Sequence, residues 1–306
     1  MSETSIAFLL SAPYSGATLL SMLANRHPAV SCDGETFPYE RGARILCSCG
    51  RFQDECDYFR TAAANMLTKD GSRFDPDLFA YVPRYSRNRL LSRALEGFWL
   101  SGLGYRTSSF LRSLPAAGKA EDRFVAEHMA FIEKSLALKK AGVYLDGTKS
   151  MHRAELFAER GLTTKAVYLL RDPRGFCNSY RKNKRQLSPS GLALAAGEWK
   201  VHFRKVKAFS RRFDQVSILT LRYDELCHDP AAVLGKACEF LSVPFSGQML
   251  KFSPEGMHVT GNRMRHSFSG EIREDVSWKK ELSAEEIRFI TSLLAPEISE
   301  AGFPLE

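Results

Sequence analysis

Residue types that bind phosphate-like anions are concentrated in two short segments of the chain. The first is the turn at residues 11–16, which separates an apolar run at 6–10 from a segment with helical periodicity. A strand, a glycine-containing turn and a helix N-terminus present unpaired backbone N–H groups and the positive end of a helix dipole to an anion. Ser15 and Thr18 add hydroxyl groups, and Gly16 allows the backbone to approach a ligand closely. The segment therefore predicts an anion-binding loop.

The second segment begins at Arg171, where the apolar run 165–170 leads directly into Arg-Asp-Pro-Arg. Pro173 suits the first turn of a helix. Arg171 and Ser179 flank that turn, where a guanidinium and a hydroxyl group could together grip one phosphate. A second anion site is thus expected at the end of another strand.

Two charged residues follow other apolar runs. Glu35 comes after the run 29–32, and Lys149 comes after the run 142–145. In an open parallel sheet, ligands bind beyond the carboxyl ends of the strands, so both side chains are expected beside the first anion loop. There a carboxylate can take a proton from a nucleophile, and an ammonium can stabilise negative charge that develops on a leaving group.

Five short apolar runs alternate with helical segments, which predicts a mostly parallel sheet covered on both faces. The predicted strands are 6–10, 29–32, 142–145, 165–170 and 216–221. We expect a three-layer α/β/α fold in one domain, residues 1–306. A helical insertion rich in arginines and aromatic residues is expected at about 60–140.

The formal net charge is +8 and the isoelectric point is near 9.1, which favours acidic ligands, nucleic acid or an anionic membrane surface. No apolar run approaches the roughly 20 residues of a membrane-spanning helix. The N-terminus lacks the basic region of a signal peptide. Seven cysteines in a chain of this length do not indicate a disulfide framework, so a cytoplasmic location is expected.

Three of the cysteines, Cys47, Cys49 and Cys56, are close together in the sequence. Clustered cysteines can hold zinc, but a closed structural site needs four ligands. Cys32 or a histidine is a possible fourth ligand. Three reduced thiols in a tight loop are the alternative.

The first anion loop, Pro-Tyr-Ser-Gly-Ala-Thr from residue 13, resembles the 5′-phosphosulfate loop of sulfotransferases that use 3′-phosphoadenosine-5′-phosphosulfate (PAPS). Many members read Pro-Arg/Lys-Ser-Gly-Thr-Thr, so Tyr14 and Ala17 are departures. Tyr14 resembles a bacterial subgroup with Tyr-Ser-Gly at this point. The strand, Arg-Asp-Pro-Arg and a serine eight residues after the first arginine resemble the 3′-phosphate signature of the same family.

The resemblance implies a P-loop-like sulfotransferase fold and roles for further residues. Gly34-Glu35 matches a pair that often supplies the general base, and Lys149 matches a lysine that reaches the phosphosulfate. His128 is the alternative base, because other branches use a histidine. A segment around Tyr223 and a C-terminal Gly-Asn-x-x-Arg segment resemble parts that lie near the nucleotide. The implied donor-binding residues are Tyr14, Ser15, Gly16, Ala17, Thr18, Leu19, Arg171, Ser179, Tyr223, Asn262 and Arg265.

The implied reaction transfers a sulfonate group from PAPS to a hydroxyl or amine of a small-molecule, glycan or lipid acceptor and leaves PAP (3′,5′-adenosine bisphosphate). The helical insertion at about 60–140 is where this acceptor would bind. The reaction requires no metal and no nucleic-acid partner. Two alternatives belong to other classes. A P-loop kinase or other NTPase would need a lysine directly after Gly16, where the chain has Ala17. A non-catalytic nucleic-acid-binding protein would depend on the positive charge alone.

Overall fold

The computed structural model describes residues 5–36, 45–66, 83, 115–185, 188–253 and 255–305. The expected insertion at 60–140 is therefore described only in part, and residues 67–82 and 84–114 lie outside the described residues. The expected division into one domain with an acceptor-binding insertion stays a prediction.

Five parallel strands form one sheet, as the alternation of apolar runs and helical segments predicts. They are β1 (Ser5–Leu10), β2 (Val30–Ser31), β3 (Val143–Asp146), β4 (Lys165–Leu170) and β5 (Ser217–Arg222). Their order in the sheet is β2-β3-β1-β4-β5, and every pair is parallel. The turn after the central strand β1 is thus flanked by the ends of β3 and β4.

Helices connect the strands and cover both faces of the sheet. The described α-helices are α1 (Ala17–Asn25), α2 (Asp57–Ala62), α3 (Pro115–Lys139), α4 (Met151–Glu159), α5 (Pro173–Lys184), α6 (Pro189–Arg212), α7 (Tyr223–His228), α8 (Pro230–Phe240), α9 (Trp278–Glu281) and α10 (Ala284–Glu300). Among them, no helix combines the length and the apolar character that crossing a membrane requires.

Alternate residues of β1 pack into two different cores, because successive side chains of a strand point to opposite faces. Phe8 and its neighbours at every second position contact a core that includes α4, α5, α6 and α10. Ala7 and Leu9 contact the other core, with α1, α7 and α8. The sheet is therefore the middle layer of an α/β/α arrangement, which confirms the predicted fold class.

Most of the longer helices begin with a side chain that satisfies their first N–H groups. Ser150 caps α4, Asp172 caps α5, Ser188 caps α6, and Ser283 forms a reciprocal capping box with Glu286 at α10. By contrast, α1 begins after Gly16 without any side-chain cap. Its first N–H groups are thus left for another partner.

A buried ion pair fixes the turn that follows β3. Arg153 Nη2 lies 2.9 Å from Asp146 Oδ2, and both side chains are fully buried. The other oxygen of Asp146 accepts hydrogen bonds from the backbone N–H and the hydroxyl of Thr148. The pair therefore joins α4 to the strand end that carries Lys149.

Arg153→Met leaves the Asp146 carboxylate buried without its cation. We expect a loss of about 3–5 kcal/mol in the free energy of unfolding, the range for removing one partner of a buried pair. Urea denaturation followed by circular dichroism measures it. The control Arg123→Met removes a pair with Glu127 in which the arginine side chain is 69% exposed, and it should cost less than about 1 kcal/mol. Equal losses in both variants would contradict this account.

Candidate active site

A cavity of about 760 Å³ opens at the carboxyl ends of the strands. This volume lies within the range of small-molecule and cofactor sites. The segments that follow all five strands contribute to its lining. Among them are Tyr14, Gly16, Ala17, Thr18, Leu19, Glu35, Lys149, Arg171, Ser179, Tyr223 and Asn262. Most of the residues predicted to bind the donor therefore share one cavity, as expected for the open edge of a parallel sheet.

The turn before α1 has the backbone shape of an anion-binding loop. Tyr14 and Gly16 both have positive φ angles, 60° and 90°. A Cβ atom on Gly16 would overlap the ring of Tyr223, so the glycine is required both by its conformation and by this contact. The Ser15 side chain is buried within the turn. The uncapped start of α1 therefore faces the cavity.

Arg171 and Ser179 flank the first turn of α5 and were predicted to bind one phosphate together. Their side chains are in contact. Arg171 Nη1 donates to Ser179 Oγ at 3.1 Å and to the backbone carbonyl of Tyr14 at 2.7 Å. The guanidinium also lies over the Tyr223 ring, 4.7 Å from its centroid. These contacts join Arg171 and Ser179, the second predicted anion site, to the turn before α1, which is the first.

Asp275, which was not predicted as a site residue, binds this guanidinium–hydroxyl pair. Its Oδ2 accepts from Arg171 Nη2 at 2.9 Å and from Ser179 Oγ at 3.4 Å. Burial opposes the charge, but hydrogen bonds from Ser277 and Arg171 lower the pKa of Asp275 to about 2. The Asp275 carboxylate is therefore held beside the guanidinium and the hydroxyl that were predicted to bind a phosphate together.

Glu35 and Lys149 form an ion pair inside the cavity, with Nζ 2.6 Å from Oε1. Both side chains remain partly exposed, 26% for Glu35 and 16% for Lys149. The turns that carry them pack closely, since a Cβ atom on Gly147 would lie 2.8 Å from the Cα of Gly34. A proton acceptor and a cation are thereby held side by side next to the anion loop.

A C-terminal segment joins the Glu35 turn to the anion loop. Thr260 pairs with Gly34, donates its N–H to the Asp33 carbonyl at 3.0 Å and accepts the Glu35 N–H at 3.1 Å. Two residues later, the backbone N–H of Asn262 donates to Thr18 Oγ1 at 3.1 Å. The segment therefore lies across one wall of the cavity.

Asn262 and Arg265 contribute to this wall in different ways. Asn262 lines the cavity, while its side chain caps a short 3₁₀-helix, Arg263–His266, through the N–H of Met264. Arg265 is buried, and its guanidinium donates to the backbone carbonyls of Gly261, Asn262 and Leu46. It does not line the cavity. Arg265 thus holds the loop together at the position where a direct ligand contact was expected.

His128 lies away from the cavity. It is buried on α3, with Nδ1 2.7 Å from the backbone carbonyl of Phe124. Burial lowers the pKa of His128 well below its ordinary value. It is absent from the cavity lining, so its placement favours Glu35 as the base.

The structure adds four cavity residues that the sequence did not single out. His152 and Glu155 lie on α4, and His202 and Lys205 lie on α6. Burial raises the pKa of Glu155 to about 8 and lowers that of His202 to about 4. The members of each pair are three residues apart, which places them on one helix face. This spacing is the signal in the sequence that could have identified them.

The sequence model of the Sulfotransferase family matches residues 7–247. The chain therefore belongs to the sulfotransferase family. A search of curated proteins finds no match.

Several solved structures of sulfotransferases are similar to this chain. Sulfotransferase STF9 from Mycobacterium avium has 14% identity and a TM-score of 0.50, over 100% of this chain and 79% of that chain. The sulfotransferase domain of the curacin biosynthetic pathway has 18% identity and a TM-score of 0.49, over 99% of both chains. A mouse sulfotransferase complexed with PAP has 13% identity and a TM-score of 0.44, over 96% of this chain and 84% of that chain.

Gly16→Ala tests the anion loop. The added methyl group meets the Tyr223 ring, so we expect binding of PAP to weaken at least about tenfold, or ~1.4 kcal/mol. Isothermal titration calorimetry measures the affinity. Gly161→Ala is the matched control, because Gly161 also has a positive φ, 66°, but has open space around it. Loss of affinity in both variants, or in neither, would contradict the role of Gly16.

Proposed function

We propose that the protein is a PAPS-dependent sulfotransferase that modifies a hydroxyl or amine group of a small acceptor. The observation that carries the proposal is the contact of Arg171 with Ser179 and with the turn before the uncapped helix α1. Two anion sites beside one cavity match the two phosphate groups of PAPS, the 5′-phosphosulfate and the 3′-phosphate. Membership of the sulfotransferase family supports the same reaction.

The donor would be held at both ends. The N–H groups at the start of α1 and the Thr18 hydroxyl would bind the 5′-phosphosulfate. Arg171 and Ser179 would bind the 3′-phosphate in exchange for Asp275, whose carboxylate now fills that position. Tyr223, which packs against both Gly16 and Arg171, would border the nucleotide.

The chemical step would be an in-line displacement at sulfur. An acceptor oxygen or nitrogen forms a bond to sulfur, and the bond from sulfur to the bridging oxygen of the phosphosulfate breaks. The electron pair of the broken bond goes to the leaving phosphate of PAP, beside the Lys149 ammonium. The acceptor's proton goes to Glu35. Positioning and charge stabilisation carry most of the catalysis, as in phosphoryl transfer.

The acceptor would bind in the part of the cavity that α4 and α6 line. These helices contribute Met151, His152, Glu155, His202, Lys205 and Val206. The set mixes apolar surface with groups that donate or accept hydrogen bonds, which suits a small organic acceptor. The additional role of the 60–140 segment in acceptor binding, the bacterial Tyr-Ser-Gly subgroup and a cytoplasmic location stay predictions.

The two other classes are not favoured. The match to the sulfotransferase family argues against a kinase or other NTPase, and so does the absence of a lysine directly after Gly16 in the first loop. A nucleic-acid-binding protein would not require two anion sites at the ends of two neighbouring strands beside one cavity.

Ser179→Ala removes one of the two groups proposed to bind the 3′-phosphate. We expect PAP affinity to fall about tenfold while affinity for 5′-AMP stays the same, because only PAP has a 3′-phosphate. Calorimetric titration with PAP, 5′-AMP and ATP–Mg²⁺ measures the preference. Ser190→Ala, on the exposed start of α6, serves as the control. A wild-type protein that binds 5′-AMP as well as PAP, or that prefers ATP, would overturn the donor assignment.

Glu35→Gln tests the base. It keeps the size of the side chain but cannot accept the proton, so we expect turnover to fall by about 10²–10⁴ with nearly unchanged PAP affinity. PAP release from PAPS in the presence of a panel of phenols, alcohols and amines measures turnover. His128→Gln is the comparison, and it should keep its activity when circular dichroism shows it folded. Parallel loss of turnover and PAP affinity in Glu35→Gln would contradict the assignment of Glu35 as the general base.

A further inference from the structure

Three cysteines and one histidine converge outside the cavity. The donor atoms of Cys47, Cys49, Cys56 and His258 all lie within 4.8 Å of one another. The separations are 3.3 Å from Cys56 Sγ to His258 Nδ1, 3.6 Å between the sulfurs of Cys49 and Cys56, and 3.9 Å from Cys47 Sγ to His258 Nδ1. Tetrahedral zinc with S and N ligands would place its donors about 3.5–3.8 Å apart. The observed separations are close to that geometry.

We propose that these four residues bind a structural zinc ion as a Cys₃His site. The sequence provides three of the ligands within ten residues, and it leaves the fourth open between Cys32 and a histidine. The structure assigns the fourth position to His258, which is about 200 residues away in the chain. Cys32 instead packs into the core beside α1 and is not a member of the group.

The backbone around the cysteines is folded as a tight turn that supports thiolate ligands. Cys47 donates its N–H to the Arg51 carbonyl at 2.8 Å, and Gly50 donates back to Cys47 at 3.0 Å. The backbone N–H of Cys49 approaches the sulfur of Cys47, and the N–H of Arg51 approaches the sulfur of Cys49. Such N–H groups stabilise negative charge on sulfur.

His258 is held in place from two sides. The Ser48 hydroxyl donates to the Met257 carbonyl at 2.8 Å and accepts from the Val259 N–H at 2.9 Å. The Ser48 N–H donates to the Val259 carbonyl at 3.0 Å. The Tyr58 ring stacks on the imidazole, with centroids 4.7 Å apart and planes 4° apart. The ligands are therefore preorganised by contacts that do not depend on the ion.

Four protein ligands leave no open coordination position, which is typical of structural rather than catalytic zinc. The ion would fasten the turn at Cys47 to the segment that carries His258 and Thr260. Thr260 in turn pairs with the Glu35 turn, and Asn262 contacts Thr18. Zinc would thus position one wall of the cavity without taking part in sulfonate transfer. The inference is independent of the proposed function.

The metal content of untagged protein tests the site. Mass spectrometric metal analysis should find about one zinc ion per chain, and cobalt substitution should give the absorption bands of tetrahedral thiolate-bound cobalt. Cys49→Ser and His258→Ala should each reduce the zinc content and lower the melting temperature. The controls are Cys238→Ala, at a buried thiol in the other core, and His228→Ala, at a 73% exposed histidine. Both should keep the ion.

Wild-type metal content and the cobalt spectrum need no variant, so poor folding of a variant does not affect them. A strong chelator should also lower the melting temperature of the wild type, because loss of a structural ion removes folding free energy. Wild-type protein that lacks zinc after zinc-supplemented growth would overturn the proposal. So would a disulfide between Cys49 and Cys56 in protein purified under reducing conditions, or cluster variants that keep as much zinc as the controls.

Discussion

The unpaired N–H groups at the start of α1 are the constraint on which the rest of the site depends. A helix leaves its first four N–H groups without partners inside the helix, and here Gly16 supplies no side chain to satisfy them. The helix follows the central strand of a parallel sheet, so these donors lie where the ends of β3 and β4 flank them. An anion is the partner that such a position favours, because the helix dipole adds a positive potential.

The cations beside this position are already neutralised by carboxylates of the same chain. Arg171 is paired with Asp275, and Lys149 is paired with Glu35. Partly buried charges are costly without a counter-charge, so these pairs stabilise the site before any ligand binds. Binding of the proposed donor, which has two anionic groups, would then be an exchange of partners at Arg171. This exchange should favour ligands whose anionic groups match both predicted anion positions.

Distant segments of the chain hold this arrangement through backbone contacts rather than through further charges. Thr260 pairs with Gly34 beyond the end of the edge strand β2, and Arg265 donates to backbone carbonyls of its own loop and of Leu46. The proposed zinc site lies directly behind this segment, with His258 two residues before Thr260. With the proposed ion bound, the wall next to Glu35 would be rigid. Rigid placement suits catalysis by positioning, because small displacements of the reacting groups slow such reactions strongly.

The sequence by itself determined the features that local chemistry specifies. The apolar runs predicted all five strands, and the glycine-containing turn after β1 predicted the anion loop. Arg171 and Ser179 could be predicted to bind one phosphate together because they flank a single helix start. Contacts between residues far apart in the chain leave no periodic pattern, so only the tertiary structure decided them. It showed that Asp275 contacts Arg171, that His258 lies beside the three clustered cysteines, and that Arg265 does not line the cavity. It also brought His202 of α6 to the cavity. The packing of α6 against α5 and α10, which the sequence of α6 does not encode locally, selects the helix face that reaches the site.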